Sequence, residues 1–428
     1  MKQELNNRIA KFALGALILS VFAFGGAGGP SSVALQEPYP QLKIFNNVLF
    51  LIQNNYVEKV ELKDLIQGAI KGMLQTLDPY SSYMTPEQYS EMKVDTRGSF
   101  EGLGIEITVK DYQLTVVAPI EGTPAEKAGI LPGDRIIKID DQPTKDMTLH
   151  DAVSKMRGLR GTTVRLTVLR GDSHTPKEYV LTREVIKVRS VRAKELEDNI
   201  QYIRLTSFQE RTAEDLQKAL EVAYEHKMAG LVLDLRNNPG GLLDQAIQVA
   251  DQFLEKGKLV VYTQGRSEEK HDYFARSGQK NNGRFPMVVL INGGSASASE
   301  IVAGALQDWK RAAILGTPSF GKASVQTIIE LEDHSALRLT TAKYFTPLGK
   351  AIQGKGITPD IPVEAPKPEG EVAAKPPKQK EPEEKRGEPK ISDDEGIGTE
   401  DISRKEADIA KDPQLKRAVE ILKAHRLL

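Results

Sequence analysis

Apolar residues follow a helical spacing in the segment after about residue 38. Between Leu62 and Leu77 they recur at intervals of three and four, which predicts an amphipathic helix that stops before Asp78-Pro79. An earlier helix is predicted at Leu42 to Ile52, where residues 48–52 are apolar without interruption. A helix that is apolar on several sides packs on two surfaces, and the pattern leaves open whether one of them belongs to a second subunit.

The pattern changes to short strands between about Gly98 and Val185. Residues 114–117 and 136–139 are mainly apolar, and apolar and polar residues alternate along residues 164–168. Alternation with a period of two predicts half-buried strands, and turn signals such as Pro132-Gly133-Asp134 separate them. This part of the chain is therefore expected to form a small β-rich module.

The next part of the chain alternates predicted strands with predicted helices. A helix that begins at Thr212, with Gly230 as its expected stop, is followed by a short apolar strand at residues 231–235. A second unit follows, in which residues 287–291 predict a buried strand and residues 295–300 open a helix. Strand, turn and helix repeated in this way predict an α/β layer.

The N-terminal segment has the layout of an export signal. Lys2, Arg8 and Lys11 precede the uncharged, largely apolar residues 12–24, and a glycine-rich stretch follows. The length leaves open whether the signal is cleaved or retained as a membrane anchor. Both readings place the rest of the protein outside the cytoplasm, in the periplasm or anchored to the outer side of the cytoplasmic membrane.

Composition excludes several classes of function. The 428 residues carry 58 Lys and Arg against 59 Asp and Glu, so the chain lacks the basic field that nucleic acid requires. Because cysteine is absent, disulfides, thiolate metal sites and a cysteine nucleophile are excluded. After about Val363, proline and charged residues predict a disordered linker. Apolar residues from Leu415 to Leu427 then predict a short helix that packs on the core or on another subunit.

Two polar side chains are candidates for covalent chemistry. Ser297 lies at the mouth of a predicted helix after a buried strand, where free N–H groups stabilise an oxyanion. Ser297 and Glu300 also satisfy a capping box, so a plain helix cap is the alternative. Lys322 and Gln326, four residues apart, would share one face of a strand. Lys322 accepts a proton near neutral pH only if burial lowers its pKa well below about 10.4, and a surface lysine in a glycine turn is the alternative.

Several motifs in this order resemble a known protease family. They are Leu77 to Tyr83, Leu235 to Gly241, Ser295 to Glu300, Phe320 to Gln326 and Gln353 to Asp360. Upstream, Gly102 to Ile105 and Thr123 to Asp134 resemble a bacterial PDZ domain, in which a glycine loop holds a peptide C-terminus. The set resembles the carboxyl-terminal processing peptidases, also called tail-specific proteases, over roughly residues 38–363.

The resemblance implies a mixed α/β fold with a crotonase-like serine protease core and an inserted PDZ domain. The expected regions are a signal or anchor at 1–36, a helical segment at 37–96, the PDZ domain at 97–186, the protease core at 187–363, and a linker with a terminal helix at 364–428.

The resemblance also implies the roles of individual residues. Ser297 would be the nucleophile, Lys322 the base and Gln326 the residue that orients it; the oxyanion hole would use Ala298 with Gly240 or Gly241. The peptide would bind at Gly102, Leu103, Gly104 and Ile105, with Arg157, or alternatively Arg160, sensing bound substrate.

The implied activity is hydrolysis of peptide bonds near free protein C-termini by a serine endopeptidase, without a metal or cofactor. A homo-oligomer, an adaptor protein and gating of activity by the PDZ domain are left open. Two other readings remain, namely a peptide-binding scaffold with an inactive protease core and an acyl hydrolase on a crotonase-like fold.

Overall fold

The computed structural model describes residues 39–171, 175–266, 270–277, 285–364 and 411–426. The predicted export segment, nearly all of the predicted linker and Leu427 lie outside these residues. Within the described ranges, no helix combines the length and apolar character needed to cross a membrane. The chain divides into two compact units between Ile70 and Lys71.

The first unit contains helix α1 (Tyr39–Asn55) and the beginning of α2 (Leu62–Gln75). Both helices were expected from the apolar spacing. Large apolar side chains along α1 are exposed, namely Leu42, Ile44, Phe45, Val48, Phe50 and Leu51. That a second surface covers α1 stays a prediction.

The second unit continues with β1 (Ser82–Met84) and α3 (Pro86–Arg97). Thr85 caps α3, since its hydroxyl accepts from the Gln88 N–H at 3.3 Å while the Gln88 side chain accepts from the Thr85 N–H at 3.0 Å. Gly98, with φ of 67°, ends the helix in the left-handed conformation that glycine adopts without strain.

A β-rich module follows, as the short alternating runs predicted. Its elements are β2 (Ser99–Gly102), β3 (Ile105–Lys110), β4 (Gln113–Pro119), α4 (Pro124–Lys127), β5 (Arg135–Ile139), β6 (Gln142–Pro143), α5 (Leu149–Met156), β7 (Thr163–Leu169), β8 (Lys177–Thr182) and β9 (Glu184–Lys187). Strands β3, β4, β5, β7 and β8 form an antiparallel sheet with β6 beside β5, and β2 pairs with β9. Fully buried Ile136, Ile139 and Leu166 lie in the module's own core.

The remaining elements form the α/β layer. They are β10 (Val191–Glu195), β11 (Ile200–Leu205), α6 (Thr212–Glu225), β12 (Gly230–Asp234), α7 (Leu243–Asp251), β13 (Leu259–Gly265), β14 (Lys270–Phe274), β15 (Met287–Ile291), α8 (Ala298–Asp308), β16 (Ala313–Gly316), β17 (Ser324–Glu330), β18 (Ala336–Phe345), β19 (Ile361–Pro362) and α9 (Pro413–Arg426).

Two sheets organise these strands. The central sheet has the order β10-β11-β12-β15-β16-β19 and is parallel except for β10. The second sheet has the order β1-β18-β13-β14, with β17 antiparallel to β18. Parallel strands place their carboxyl ends at one edge, where the candidate site lies.

The two faces of the central sheet are both covered. Along β12, Leu231 and Leu233 belong to the core that also contains residues of α6, α7 and α8. Val232 belongs to a second core, to which α9 contributes Leu415 and Leu422. The C-terminal helix therefore packs on the core, one of the two positions left open by the sequence.

One predicted helix end is wrong. Helix α6 ends at Glu225, and Lys227 takes the left-handed conformation, with φ of 55°, that was expected of a glycine stop. Gly230 instead begins β12, where an added Cβ would lie 3.4 Å from the Leu422 side chain. The position therefore adjoins the docked helix α9.

Candidate active site

The turn after β12 is joined to the turn before α8 by hydrogen bonds. The Asn238 carbonyl accepts from the Ala296 N–H at 3.0 Å and from the Ser299 hydroxyl at 2.9 Å. The Ser295 hydroxyl donates to the Leu235 carbonyl at 2.8 Å. These bonds hold the glycine-containing turn of residues 235–241 against the residues that flank Ser297.

Ser297 is the N-cap residue of α8 and has an unusual backbone. Its φ of 53° and ψ of −113° lie outside the regions that non-glycine residues normally occupy. Strained residues of this kind cluster at functional sites, where the surrounding structure enforces them. The conformation makes Ser297 a candidate for function, beyond a plain helix cap.

Glu300 connects Ser297 to the segment that contains Lys322. Its carboxylate accepts from the Ser297 N–H at 2.8 Å, from the Gly321 N–H at 2.7 Å and from the Lys322 N–H at 2.9 Å. The Ser319 hydroxyl also donates to it, at 2.6 Å. Burial raises the pKa of Glu300, and these hydrogen bonds oppose that effect. The sequence indicates only the capping role of this carboxylate.

Lys322 and Gln326 contact each other, although not in the predicted way. Lys322 precedes β17, and a register shift separates Val325 from Gln326, so a shared strand face does not explain the contact. The Lys322 Nζ donates to Gln326 Oε1 at 3.3 Å. The Gln326 amide nitrogen donates to the Tyr80 carbonyl at 2.7 Å, which fixes the amide with its oxygen toward the lysine.

The environment of Lys322 favours its neutral form. Burial lowers the pKa of Lys322, the positive charge of Arg338 lowers it further, and Asp78 partly opposes both. The Tyr80 ring centroid lies 5.0 Å from Nζ, and this cation–π contact acts in the opposite direction, because it favours the charged amine. A lysine whose pKa is lowered is deprotonated, and so available as a base, in a larger fraction of molecules at a given pH than a lysine at the surface.

The side chains predicted for catalysis, Ser297, Lys322 and Gln326, line one cavity of about 520 Å³. Its lining includes Ser297, Ala298, Lys322, Gln326, Gly240 and Gly241, together with Asp95, Ser324, Arg338 and Tyr344. The Tyr344 hydroxyl lies within hydrogen-bonding range of the Lys322 carbonyl oxygen and, at 3.1 Å, of the Ser297 carbonyl oxygen. Arg338 and Tyr344 were not predicted, because two residues six positions apart on one strand carry no sequence signal of a site.

Gly240 and Ala298 lie close together beside Ser297. A Cβ at position 240 would be 2.8 Å from the Ser297 Cβ and 3.0 Å from the Ala298 nitrogen. The Gly240 N–H already donates to the Asn238 side chain at 2.9 Å, so of the two glycines Gly241 is the better candidate to donate its N–H to an oxyanion. Ala298 is the first residue of α8, and its N–H therefore has no acceptor within the helix.

A smaller groove lies in the β-rich module. Its volume is about 170 Å³, and its lining comprises Phe100, Gly102, Leu103, Gly104, Ile105, Ile107, Leu149, Val153, Met156 and Arg157. The Arg157 guanidinium lies 5.0 Å from the Phe100 ring centroid. Arg160 does not line this groove; its backbone N–H donates to Glu101 at 2.9 Å. The structure thus brings the predicted glycine loop together with Arg157.

Neither site has the side chains of a metal centre. In the part of the chain that the structure describes, no three His, Asp or Glu residues are grouped as metal ligands would be.

Comparison with known proteins identifies the family. Residues 199–363 match Peptidase family S41, residues 115–170 match the PDZ domain, and residues 30–88 match the activating protease CtpB N-terminal domain. The carboxy-terminal-processing protease of Bartonella bacilliformis is 50% identical over 339 residues, which cover 78% of this chain and 77% of that protein. The chain belongs to the S41 peptidase family.

A second curated relative of this S41 peptidase has a name of the same kind. The carboxy-terminal processing protease CtpA of Bacillus subtilis is 40% identical over 316 residues, or 74% of this chain and 67% of that protein. A solved structure of the photosystem II D1 C-terminal processing protease has 30% identity and a TM-score of 0.45, and covers 75% of this chain and 92% of that chain. The family matches and the two bacterial proteases, together with the fold described above, show that the protein is a serine-type peptidase with an α/β fold and a PDZ domain, as the motifs implied.

Proposed function

We propose that this S41 peptidase cleaves proteins near their free C-termini, with Ser297 as the nucleophile, Lys322 as the general base and Gln326 as the residue that orients the base. The observation that carries the proposal is the shared cavity, in which Lys322 donates to Gln326 at 3.3 Å beside the strained Ser297. A plain cap or a surface lysine would require neither the cavity nor the lowered pKa of Lys322.

The reaction has two steps. Neutral Lys322 takes the proton of the Ser297 hydroxyl while the Ser297 oxygen attacks the scissile carbonyl carbon. The resulting tetrahedral intermediate breaks its C–N bond, and the Lys322 ammonium gives its proton to the leaving amine. Water, deprotonated by Lys322, then attacks the acyl-enzyme and releases the new carboxylate and the serine hydroxyl. No metal or cofactor takes part.

The oxyanion would bind to the Ala298 N–H and to a glycine of the turn. The Ala298 amide stands at the positive end of helix α8. Of Gly240 and Gly241, we favour Gly241 as the second donor, because the Gly240 N–H donates to Asn238. Such donors act on the charge that develops during attack, and removing one typically lowers kcat by about 10²–10³.

Recognition of the C-terminus is assigned to the groove of the PDZ domain. Its loop from Gly102 to Ile105 offers backbone N–H groups to a terminal carboxylate, and its apolar walls suit small or apolar last residues. The nearby cation is Arg157, which we propose as the sensor of bound substrate. Burial raises the pKa of Asp95, which lines the active-site cavity, and the positive charge of Arg157 opposes this rise, which supports the proposed sensing role.

The site of action is proposed from the N-terminal layout alone. A basic flank, an apolar stretch and a glycine-rich exit direct the enzyme out of the cytoplasm, to the periplasm or to the outer side of the cytoplasmic membrane. Fractionation of cells expressing the full chain, with and without residues 1–36, measures this directly.

The catalytic assignment is tested with a peptide that carries an apolar C-terminal tail, with cleavage followed by mass spectrometry. Ser297→Ala and Lys322→Ala should abolish cleavage, and Gln326→Ala should lower kcat by at least about tenfold. Lys256→Ala removes an exposed lysine outside the cavity and is the matched control. Cleavage by Ser297→Ala at the wild-type rate would refute the proposal.

The same peptide with an amidated C-terminus tests recognition. Capture of the carboxylate predicts a KM at least about tenfold higher for the amide. Equal kinetics for both peptides would favour an acyl hydrolase without C-terminal selection. Binding of the free-acid peptide by the wild type without cleavage would indicate a peptide-binding scaffold.

A further inference from the structure

The docked C-terminal helix reaches the turn that precedes the candidate oxyanion site. Helix α9 buries Leu415, Val419 and Leu422 on the face of the central sheet. Just before and within its first turn, Asp412 and Gln414 extend toward Arg236, which follows β12. Two segments separated by 176 residues in sequence thus meet at the carboxyl end of a central strand.

Arg236 is bound by α9 on one side and by the sheet on the other. Its Nη1 donates to Asp412 at 3.0 Å and to Gln414 at 2.9 Å, and its Nη2 donates to Asp412 at 2.7 Å. Nε and Nη2 donate to the fully buried Asp234, at 3.0 Å and 2.6 Å. All the N–H groups of the guanidinium therefore have acceptors, and the side chain is only 15% exposed.

The acceptors are themselves fixed. Asp234 also accepts from the Tyr202 hydroxyl at 2.7 Å and from the Arg236 backbone N–H at 2.9 Å. Gln414 is 1% exposed and donates to the Val363 carbonyl at 2.7 Å. Paired charges with complete hydrogen bonding are rigid, whereas a buried cation that loses one partner must rearrange.

Arg236 opens the turn that contacts the nucleophile. The next residue, Asn237, exchanges two hydrogen bonds with Asn292 at 2.8 and 2.9 Å. Asn238 accepts from Ala296, and Gly240 lies against the Ser297 Cβ. Three residues separate Arg236 from Gly240 and four separate it from Gly241, so a shift of the Arg236 backbone would displace both glycines relative to Ser297.

We propose that Asp412 and Gln414 are positioning residues for the reaction, which hold Arg236 so that the following turn presents its glycine amide to the oxyanion. The inference rests on the proposed function of Ser297 and the turn. It gives α9 a role in catalysis, in addition to covering the sheet.

The test is steady-state kinetics of the full chain carrying Asp412→Asn, which keeps the shape of the side chain and removes its charge. We expect kcat to fall by about 10- to 100-fold with KM changed less than twofold. A peptide aldehyde, whose tetrahedral adduct uses the oxyanion site, should lose affinity by a similar factor. Asp412→Glu should recover part of kcat, and Arg417→Ala, which removes an exposed pair with Glu420 on the same helix, should leave it unchanged.

Contrary outcomes are distinct. Unchanged kcat and aldehyde affinity in folded Asp412→Asn would overturn the proposal. So would a loss that matches the unfolded fraction measured by circular dichroism and disappears on cooling, because that describes a structural role alone. If Asp412→Asn does not fold, Gln414→Ala is measured by the same criteria. Ser297→Ala is assayed in parallel, since activity there would refute the proposed function independently of Asp412.

Discussion

Replacing Gly240 with alanine adds one methyl group where the two halves of the candidate site touch. The new Cβ would lie 2.8 Å from the Ala296 carbonyl oxygen, 2.8 Å from the Ser297 Cβ and 3.0 Å from the Ala298 nitrogen. Carbon atoms in favourable contact are about 3.5–4.0 Å apart, so the turn or Ser297 must move by several tenths of an ångström. None of the three neighbours is the flexible end of a side chain.

The size of the effect follows from two terms. Alanine at φ of 104° adds strain of about 1–3 kcal/mol, which corresponds to a melting temperature lower by several degrees. Displacement of an oxyanion donor costs about 2.7–4 kcal/mol of transition-state stabilisation. We therefore expect kcat/KM of Gly240→Ala to fall by about 100-fold or more in a protein that still folds.

The assay measures initial rates with the tailed peptide and thermal unfolding by circular dichroism. Gly293→Ala is the matched control, because an added Cβ at this exposed turn position before α8 meets nothing within 4 Å. The control should keep kcat/KM within about twofold of the wild type. A value for folded Gly240→Ala within threefold of the wild type would refute the close packing of Gly240, Ser297 and Ala298 as a basis of catalysis.

Three further predictions concern charged groups. Arg338→Gln removes a positive charge that lowers the Lys322 pKa. The Lys322 pKa should therefore rise, and the acidic limb of the pH profile of kcat/KM should move to higher pH. An unchanged acidic limb would show that Arg338 does not set the Lys322 pKa. Glu300→Gln leaves one acceptor oxygen for the four groups that donate to Glu300. We expect the free energy of unfolding in urea to fall by about 1–3 kcal/mol and kcat to fall at least tenfold. Wild-type values for both would contradict the role of Glu300 in linking Ser297 to the Lys322 segment. Burial raises the pKa of Asp134, but the hydrogen bonds from Arg170 and from the Leu131 N–H, with the positive charges of Arg170 and Lys177, together outweigh it, so the net pKa is lowered. The stability that ionised Asp134 contributes is complete above about pH 3.9 and is lost as pH falls through the folded-state pKa. Asp134→Asn should unfold in urea with a free energy about 1–2 kcal/mol lower than the wild type at pH 7, and equal to it at the acid limit. A difference that stays constant with pH would refute this pH dependence.

Local patterns predicted much of the fold because burial is periodic within one element. Residues 287–291 are apolar at every position and form β15, a strand buried on both faces. The end of α6 was missed for the opposite reason, since nothing in the sequence marks Lys227 as left-handed. Glycine is the usual residue there, and Gly230 was the nearest candidate.

The candidate site was predictable only in part. Ser297, Lys322 and Gln326 lie in recognisable motifs, whereas Arg338 and Tyr344 reach the cavity through the pairing of β17 with β18. Strand register depends on long-range packing, which one sequence does not display. The contact between Arg236 and Asp412 could not be predicted for the same reason, because it joins residues that are 176 positions apart in the sequence.

The position of α9 on the central sheet has a consequence for biosynthesis. The last strand of that sheet, β19, is translated about fifty residues before α9 begins. Until then, Val232, Val288, Leu290 and Leu315 lack the α9 side chains that pack against them, so this apolar surface is less covered on the growing polypeptide. Such a surface attracts chaperones and other nascent chains, so the newly made enzyme is most prone to aggregate in the interval before its own terminal helix shields it.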